Sequence, residues 1–261
     1  MRKGRYPLPA VLLLILLAAS PALSATSQSF LFGPEGDLLS EGSATMTAPS
    51  ASPAFSAPDG VALRTGIAYQ YYPVSGATFS DIVASIRENG PYVPALKRRL
   101  PTKIAWKFRI SYSYDFSSAL DEEGTSVHVA VAVTDVGISY APTLTLPSLI
   151  DDTSLNPIEQ KMWKNLWAML LRHEYDHVDI IEDTATADQA KKQLADINYL
   201  IFDYQENADI GAIVGSYLRD QAVKAAKEMA AAIQGRLKEY DTLTDYGNRQ
   251  SLRDSFFKGE R

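Results

Sequence analysis

The chain has 261 residues, 46% of them hydrophobic and 21% charged, which is enough apolar material for one globular domain and some unstructured length. It contains no cysteine, which excludes disulfides, thiolate metal ligands and a thiol nucleophile. Its formal net charge is −6, and an acidic chain does not favour nucleic acid or anionic membrane surfaces as partners.

Residues 1–24 have the pattern of a secretory signal peptide. "MRKGRYPLP" carries three positive charges, "AVLLLILLAAS" is too short to span a bilayer comfortably, and "PALS" places small residues at Ala22 and Ser24. We predict cleavage after Ser24, with an uncleaved N-terminal anchor as the alternative. The mature chain would have 22 basic and 31 acidic residues, a net charge near −9. Export without cysteine is typical of the bacterial envelope, so we expect a periplasmic or secreted protein with no stable membrane insertion after cleavage.

The rest of the chain divides by composition. Residues 25–62 are rich in Ser, Ala, Pro, Thr and Gly without apolar periodicity, which predicts a flexible linker. Residues 63–250 form the predicted folded domain, and residues 251–261 a C-terminal tail.

The first half of the predicted domain is rich in strands. "TGIAYQYYPVSG" reads as a strand, and "TFSDIVASIRENGP" as a short helix capped by Thr78 or Ser80. "KIAWKFRISYSYDF" alternates polar and apolar residues from Ile104 to Tyr114, which predicts a long strand. "TSVHVAVAVTDVGISYA" predicts a second long strand and "TLTLP" a short third one.

The second half is predicted to be helical. After Pro157 there is no Gly or Pro up to Leu200, and apolar residues recur at helical spacing. "FDYQENADIGAIVGS" interrupts this pattern, and a final long helix is predicted over residues 217–247. The predicted fold is therefore α+β, with a small antiparallel sheet followed by a helical half.

The segment "LLRHEYDHVDII" places an HExxH motif on that predicted helix. His173 and His177 are four residues apart and would project from one helix face about 6 Å from each other, where both imidazoles can bind one Zn²⁺. Glu174 would lie beside the metal and act as general base towards a zinc-bound water. An active-site helix of this kind makes the predicted α+β fold zincin-like. The alternative is a solvated helix face with two surface histidines.

A catalytic zinc usually has three protein ligands and one open position. His128 is the only other histidine, but it lies on a predicted strand. Glu206 is a second candidate, whereas Glu182 would lie on the opposite side of a straight helix. The acidic run from Asp176 to Asp183 could orient the imidazoles, although a solvated face is the more common role of such a run.

The chain resembles the bacterial family of predicted secreted zinc-dependent proteases called domain of unknown function 922. The resemblance runs from about Ile67 to Gly247. It rests on the following segments: "YYPVSGATFSDIVASIRENGP", "KIAWKFRISYSY", "TLTLP", "MWKNLWAMLLRHEYDHVDI" and "EYDTLTDYG".

The resemblance brings a C-terminal motif, Tyr-Asp-x-x-Thr-x-His-Gly, which this chain matches at all fixed positions except that Tyr246 replaces the histidine. If that histidine is the third ligand in relatives, this chain has lost an imidazole. If Asp241 is the ligand instead, Tyr246 can donate a hydrogen bond to the developing oxyanion. We favour Asp241, and Tyr246, Glu206 and His128 remain as alternatives. The motif could also be a plain helix C-terminus capped by Gly247.

These patterns predict an exported zinc metallopeptidase, a hydrolase acting on a protein or peptide of unknown identity. Its zinc ligands would be His173, His177 and Asp241, and its catalytic residues Glu174 and Tyr246. A non-catalytic envelope binding protein with a structural or lost metal site is the alternative. A zinc hydrolase that acts on another type of bond is a third hypothesis, because the HExxH motif does not specify which bond is cleaved.

Overall fold

The computed structural model of the chain describes residues 26–40, 57–151, 153–247 and 249–258. The predicted signal peptide lies outside these residues. The strands are β1 (Thr26–Phe32), β2 (Ala68–Val74), β3 (Tyr92–Val93), β4 (Arg98–Arg99), β5 (Lys103–Leu120), β6 (Ser126–Leu149) and β7 (Tyr199–Asp203). The helices are α1 (Phe79–Asn89), α2 (Pro157–Ile181), α3 (Thr184–Ala195), α4 (Ile210–Thr244) and α5 (Arg253–Lys258). None of the helices in these ranges combines the length and apolarity needed to cross a membrane.

The α+β class is confirmed, but the sheet is mixed instead of purely antiparallel. Its order is β1-β5-β6-β2, with β7 also paired to β6, and the β2–β6 pair is parallel. The segments predicted as two separate strands form the single strand β6, because pairing with β5 continues across both of them. The sequence of either strand alone does not predict that β2 and β6 are parallel, since their relative direction depends on the path of the chain between them.

Strand β1 lies inside the range predicted as a flexible linker. Residues Thr26–Phe32 pair with β5 along their whole length, and Phe32 is fully buried against Phe108, with ring centroids 5.3 Å apart. The prediction is therefore wrong for this segment. Its apolar residues are few, but a neighbouring strand edge satisfies the backbone of β1 and its aromatic rings enter the core.

The helices begin where side chains satisfy free backbone N–H groups. Thr78 caps α1 and Asn156 caps α2, each in a capping box. The predicted helical stretch is interrupted after Ile181, because Asp183 accepts a hydrogen bond from Ala185 N and starts α3 as a new helix. The same stretch was predicted to stay helical to Leu200, where the chain instead enters β7.

Two apolar clusters hold the helices on the sheet. In the first, one sheet face with Phe108 and Ile110 packs against α4 through Leu218 and Ala222. In the second, α1 and α2 pack against β2 and the end of β6, and Trp167 of α2 is fully buried there. Trp167 Nε1 donates to Pro147 O at 2.9 Å, which anchors α2 one and a half turns before the HExxH motif. The sheet therefore places α2 and the end of α4 side by side.

The predicted C-terminal tail is folded over the residues that the structure describes. A short 3₁₀ turn (Gln250–Leu252) leads into α5. Phe256 and Phe257 lie 5.1 and 5.9 Å from the ring of Tyr240, measured between centroids. These contacts bring α5 onto the C-terminal end of α4.

Candidate metal centre

The HExxH histidines are buried together on α2. His173 and His177 are each 6% exposed, and their ring centroids lie 4.4 Å apart. Glu174 between them is buried as well. The alternative of a solvated helix face with surface histidines is therefore wrong for this motif.

Asp241 joins the two histidines from the last turn of α4. Its Oδ1 lies 2.9 Å from His177 Nε2 and 3.3 Å from His173 Nε2. The ligand atoms of the three residues all lie within 4.8 Å of one another, so this cluster could hold a metal ion. Sixty-four residues separate His177 from Asp241, and the packing of α4 against α2 closes that gap.

The donor set fits zinc. Ligand atoms about 2.0–2.2 Å from a tetrahedral zinc ion lie roughly 3.3–3.6 Å from one another. The two imidazole–carboxylate separations, 2.9 and 3.3 Å, are close to that range. Two imidazoles and one carboxylate leave one coordination position open, as catalytic zinc sites require.

The same contacts set the charges of the cluster when no metal is bound. Burial lowers the pKa of His177, but its hydrogen bonds to Asp241 and Glu174 outweigh burial and raise this pKa to about 10. Burial raises the pKa of Asp241, and its hydrogen bonds to both histidines outweigh that effect and lower the pKa to about 2. At neutral pH the metal-free cluster is therefore an ion pair between imidazolium and carboxylate.

Glu174 is held on both carboxylate oxygens. Thr102 Oγ1 donates to Oε1 in a short hydrogen bond, and His177 Nδ1 lies 3.3 Å from Oε2. Thr102 is itself buried, in the connection that leads into β5. The contact with Glu174 orients His177 so that Nε2 faces Asp241, which is the usual role of a carboxylate behind a metal-binding imidazole. Sequence reasoning missed Thr102, since no local pattern links it to a helix more than seventy residues later.

Asp176 is the buried member of the acidic run. It is 1% exposed, accepts a 2.5 Å hydrogen bond from Tyr240 Oη, and receives Arg253 Nε at 2.7 Å on both oxygens. Tyr240 in turn stacks on His173 with centroids 5.3 Å apart. The interpretation of the run as a solvated face is therefore wrong for Asp176. A buried carboxylate requires such partners, and only the fold reveals which ones it has.

Two of the other three acidic residues of the run form ion pairs away from the cluster. Asp179 pairs with Arg64 at 2.6 Å, and Asp183 pairs with Arg236 while capping α3. Glu182 is exposed at the end of α2. These three residues lie outside the metal-binding cluster of the described chain.

Residues 245–247 form a turn in the left-handed region, with φ values of 50°, 53° and 87° at Asp245, Tyr246 and Gly247. A Cβ on Gly247 would lie 3.2 Å from Cγ of His173, so glycine lets the turn approach the imidazole ring. Two consecutive non-glycine residues in this region are uncommon and are associated with functional sites. The cap of α4 is Asp245, so the expectation that Gly247 caps this helix is wrong, and Gly247 packs on the site two residues further on.

Tyr246 lies in the cavity that the cluster of His173, His177 and Asp241 also lines. Its side chain is 40% exposed and lines the cavity beside the cluster, with the Arg98 guanidinium 4.6 Å from its ring centroid. This position is compatible with a role towards a substrate.

The two other candidates for a third ligand lie elsewhere. His128 is on β6, where Nδ1 forms a short hydrogen bond with Tyr199 Oη. Glu206 is exposed in the connection between β7 and α4. Neither shares the cluster of His173, His177 and Asp241.

The fold and the site define an α+β protein in which two helices bring two imidazoles and a carboxylate together. The chain belongs to the family described as "Bacterial protein of unknown function (DUF922)", whose model matches residues 69–247. This match confirms membership of domain of unknown function 922, and it carries no information on a protease activity. Comparisons with the curated proteins and with the solved structures gave no match.

Proposed function

We propose that this protein is a zinc-dependent hydrolase that cleaves peptide bonds. The observation that carries this proposal is the convergence of His173 Nε2, His177 Nε2 and Asp241 Oδ1 beside a cavity, with Glu174 buried next to them. An ion-pair cluster that only stabilises the fold does not require a zinc ligand set, a buried carboxylate and an adjoining cavity in one place.

A zinc ion bound by the three residues would supply Lewis acidity towards water and towards a substrate carbonyl. The protein's own residues would provide the proton transfers. Thr102 and His177 hold the carboxylate of Glu174 beside the cluster, and this carboxylate would accept a proton from the attacking water and pass it to the leaving amine. Tyr246 lines the same cavity and could donate its hydroxyl proton in a hydrogen bond to the developing oxyanion.

The first test is metal content and affinity. A chain that begins at Ala25 would be stripped of metal and titrated with Zn²⁺. The same titration would be done with Asp241→Ala and with the control His128→Gln, which changes a histidine outside the cluster. We expect one zinc ion per chain, retained in His128→Gln and weakened at least about 10-fold in Asp241→Ala. Absence of a tight site in the unchanged chain would refute the proposal.

The second test is hydrolysis. Zinc-loaded protein would be incubated with a mixed peptide library and the products identified by mass spectrometry. Glu174→Gln should keep its zinc, because its amide oxygen can still accept a hydrogen bond from His177 Nδ1. It should lose at least about 100-fold in rate, because an amide cannot accept the proton of the attacking water. Tyr246→Phe should lose rate with its zinc affinity unchanged, which would separate a role in catalysis from a role as ligand.

The non-catalytic alternative predicts a different set of results. A binding protein with a structural zinc would lose stability on metal removal, and Glu174→Gln would change no rate because there would be none. Zinc binding without cleavage of any peptide would favour this reading, or a hydrolase for another bond.

We also propose that the protein is exported, from the N-terminal pattern of residues 1–24. Expression of the full chain in a bacterium, followed by fractionation and N-terminal sequencing, tests this. A mature chain that begins at Ala25 is expected, and an intact Met1 in the cytoplasmic fraction would contradict it.

A further inference from the structure

The cavity beside the metal centre has an apolar wall. Its volume is about 230 Å³, and the metal-ligand residues and Glu174 lie at one side of it. The apolar wall consists of Val93, Leu96, Leu100, Pro101, Ile104 and Leu170. Pockets that enclose a whole small molecule usually have about 300–1,000 Å³, so this one has room for a single side chain.

The rim of the same cavity is basic. The segment "KRRLPTK" places four cations within seven residues, and all four are exposed: Lys97, Arg98, Arg99 and Lys103. Lys103 lines the cavity and Arg98 lies over the ring of Tyr246 at its mouth. This concentration of positive charge stands out in a chain with a net charge of −6.

The acidic side chains that line the cavity do not neutralise the positive charge at its rim. Asp241 is engaged by the two histidines, and Glu174 by Thr102 and His177. A metal ion bound in the cluster would further offset the negative charges of Asp241 and Glu174. Lys103 in the lining and Arg98 over Tyr246 are therefore two exposed cations at the cavity that anionic groups can contact.

We propose that the cavity takes one apolar side chain from an acidic peptide segment, whose carboxylates contact Arg98 and Lys103 at the rim. The apolar wall selects the side chain that enters, and the rim selects its charged neighbours. This inference rests on the proposed peptide substrate, but it concerns recognition and can be tested without turnover.

The test measures peptide binding to the zinc-loaded Glu174→Gln chain. Three fluorescent peptides of equal length would be compared by anisotropy: leucine flanked by glutamates, leucine flanked by glutamines, and serine flanked by glutamates. We expect the first to bind about 10-fold more tightly than either of the others at low salt. Raising NaCl from about 20 to 200 mM should reduce its advantage over the glutamine-flanked peptide.

Variants in the same background assign each preference to its residues. Leu96→Ser should remove the preference for leucine over serine, whereas Leu120→Ser, at another exposed leucine outside the cavity lining, should leave it unchanged. Arg98→Gln combined with Lys103→Gln should remove the preference for glutamate over glutamine. Lys164→Gln, on the exposed side of α2, is the matched control.

Three results would overturn the inference: equal binding of the three peptides, no binding of any, or preferences that these variants do not change. If only the proposed function is wrong, the result is different: the zinc-loaded Glu174→Gln chain binds the peptides selectively, but the unchanged chain does not hydrolyse them. Hydrolysis that is indifferent to leucine and to flanking charge would retain the proposed function and refute this inference.

Discussion

Tyr240 donates a 2.5 Å hydrogen bond to Asp176, linking the residue that precedes Asp241 on α4 to the residue that precedes His177 on α2. Both partners are buried, and the ring of Tyr240 also contacts both imidazoles, with centroids 5.3 and 5.5 Å away. The pair therefore sets the position of Asp241 relative to the two histidines.

Tyr240→Phe should destabilise the metal-free protein by about 1–3 kcal/mol, because it removes a donor from a buried carboxylate. Its zinc affinity should also fall, since the two helices lose the contact that aligns their ligands. Urea denaturation and zinc titration measure the two effects. Tyr217→Phe, an exposed tyrosine of the same helix, is the control and should change neither. Equal stability of the two variants would show that the bond does not hold the helices.

Arg253 is the cation that contacts Asp176, and its own side chain is about one-third exposed. Arg253→Met should destabilise the protein by about 1–3 kcal/mol, below the cost of a fully buried pair because water reaches the guanidinium. Asp176→Asn combined with Arg253→Met should cost less than the sum of the single changes, since the double variant buries no unpaired charge. Urea denaturation of all four proteins gives the coupling, and strict additivity would contradict the ion pair.

Zinc binding should release a proton from His177. In the metal-free chain the pKa of His177 is raised to about 10, so this imidazole is protonated at neutral pH and must lose its proton to bind metal. Asp241, with a pKa near 2, contributes no proton above about pH 4. The apparent zinc affinity should therefore rise about 10-fold per pH unit between about pH 6.5 and 9. Calorimetry in buffers of different ionisation enthalpy counts the protons, and a count of zero at pH 7.5 would contradict the prediction.

Thr102→Val should leave Oε1 of Glu174 buried without its donor. We expect a loss of about 1–3 kcal/mol in the free energy of unfolding and, under the proposed function, a fall in the rate of hydrolysis with one zinc ion retained. Thr102→Ser should restore most of both, because it keeps the hydroxyl. Thr242→Val removes an exposed helical hydroxyl instead and serves as the matched control. Full stability and activity in Thr102→Val would exclude a role for Thr102 in positioning Glu174.

The elements with strong local signals were predictable from the sequence. The alternation from Ile104 to Tyr114 indicated β5, and the capped pattern after Thr78 indicated α1. Strand β1 and the parallel β2–β6 pair were not predictable, because each is stabilised by a partner distant in sequence. The break between α2 and α3 had a local signal in Asp183, but helical periodicity on both sides concealed it.

The candidate site divides in the same way. The sequence alone determined that His173 and His177 share one helix face and that Glu174 lies beside His177, since the helical repeat places residues three or four apart next to each other. The choice of Asp241 over His128 and Glu206 as their neighbour depended on α4 packing against α2, which local periodicity does not encode. The burial of Asp176 and the hydrogen bond from Thr102 to Glu174 were likewise decided by tertiary structure alone. Helix geometry acts between near neighbours in the chain, whereas a complete metal centre needs contacts across sixty residues or more, and only the packed fold creates them.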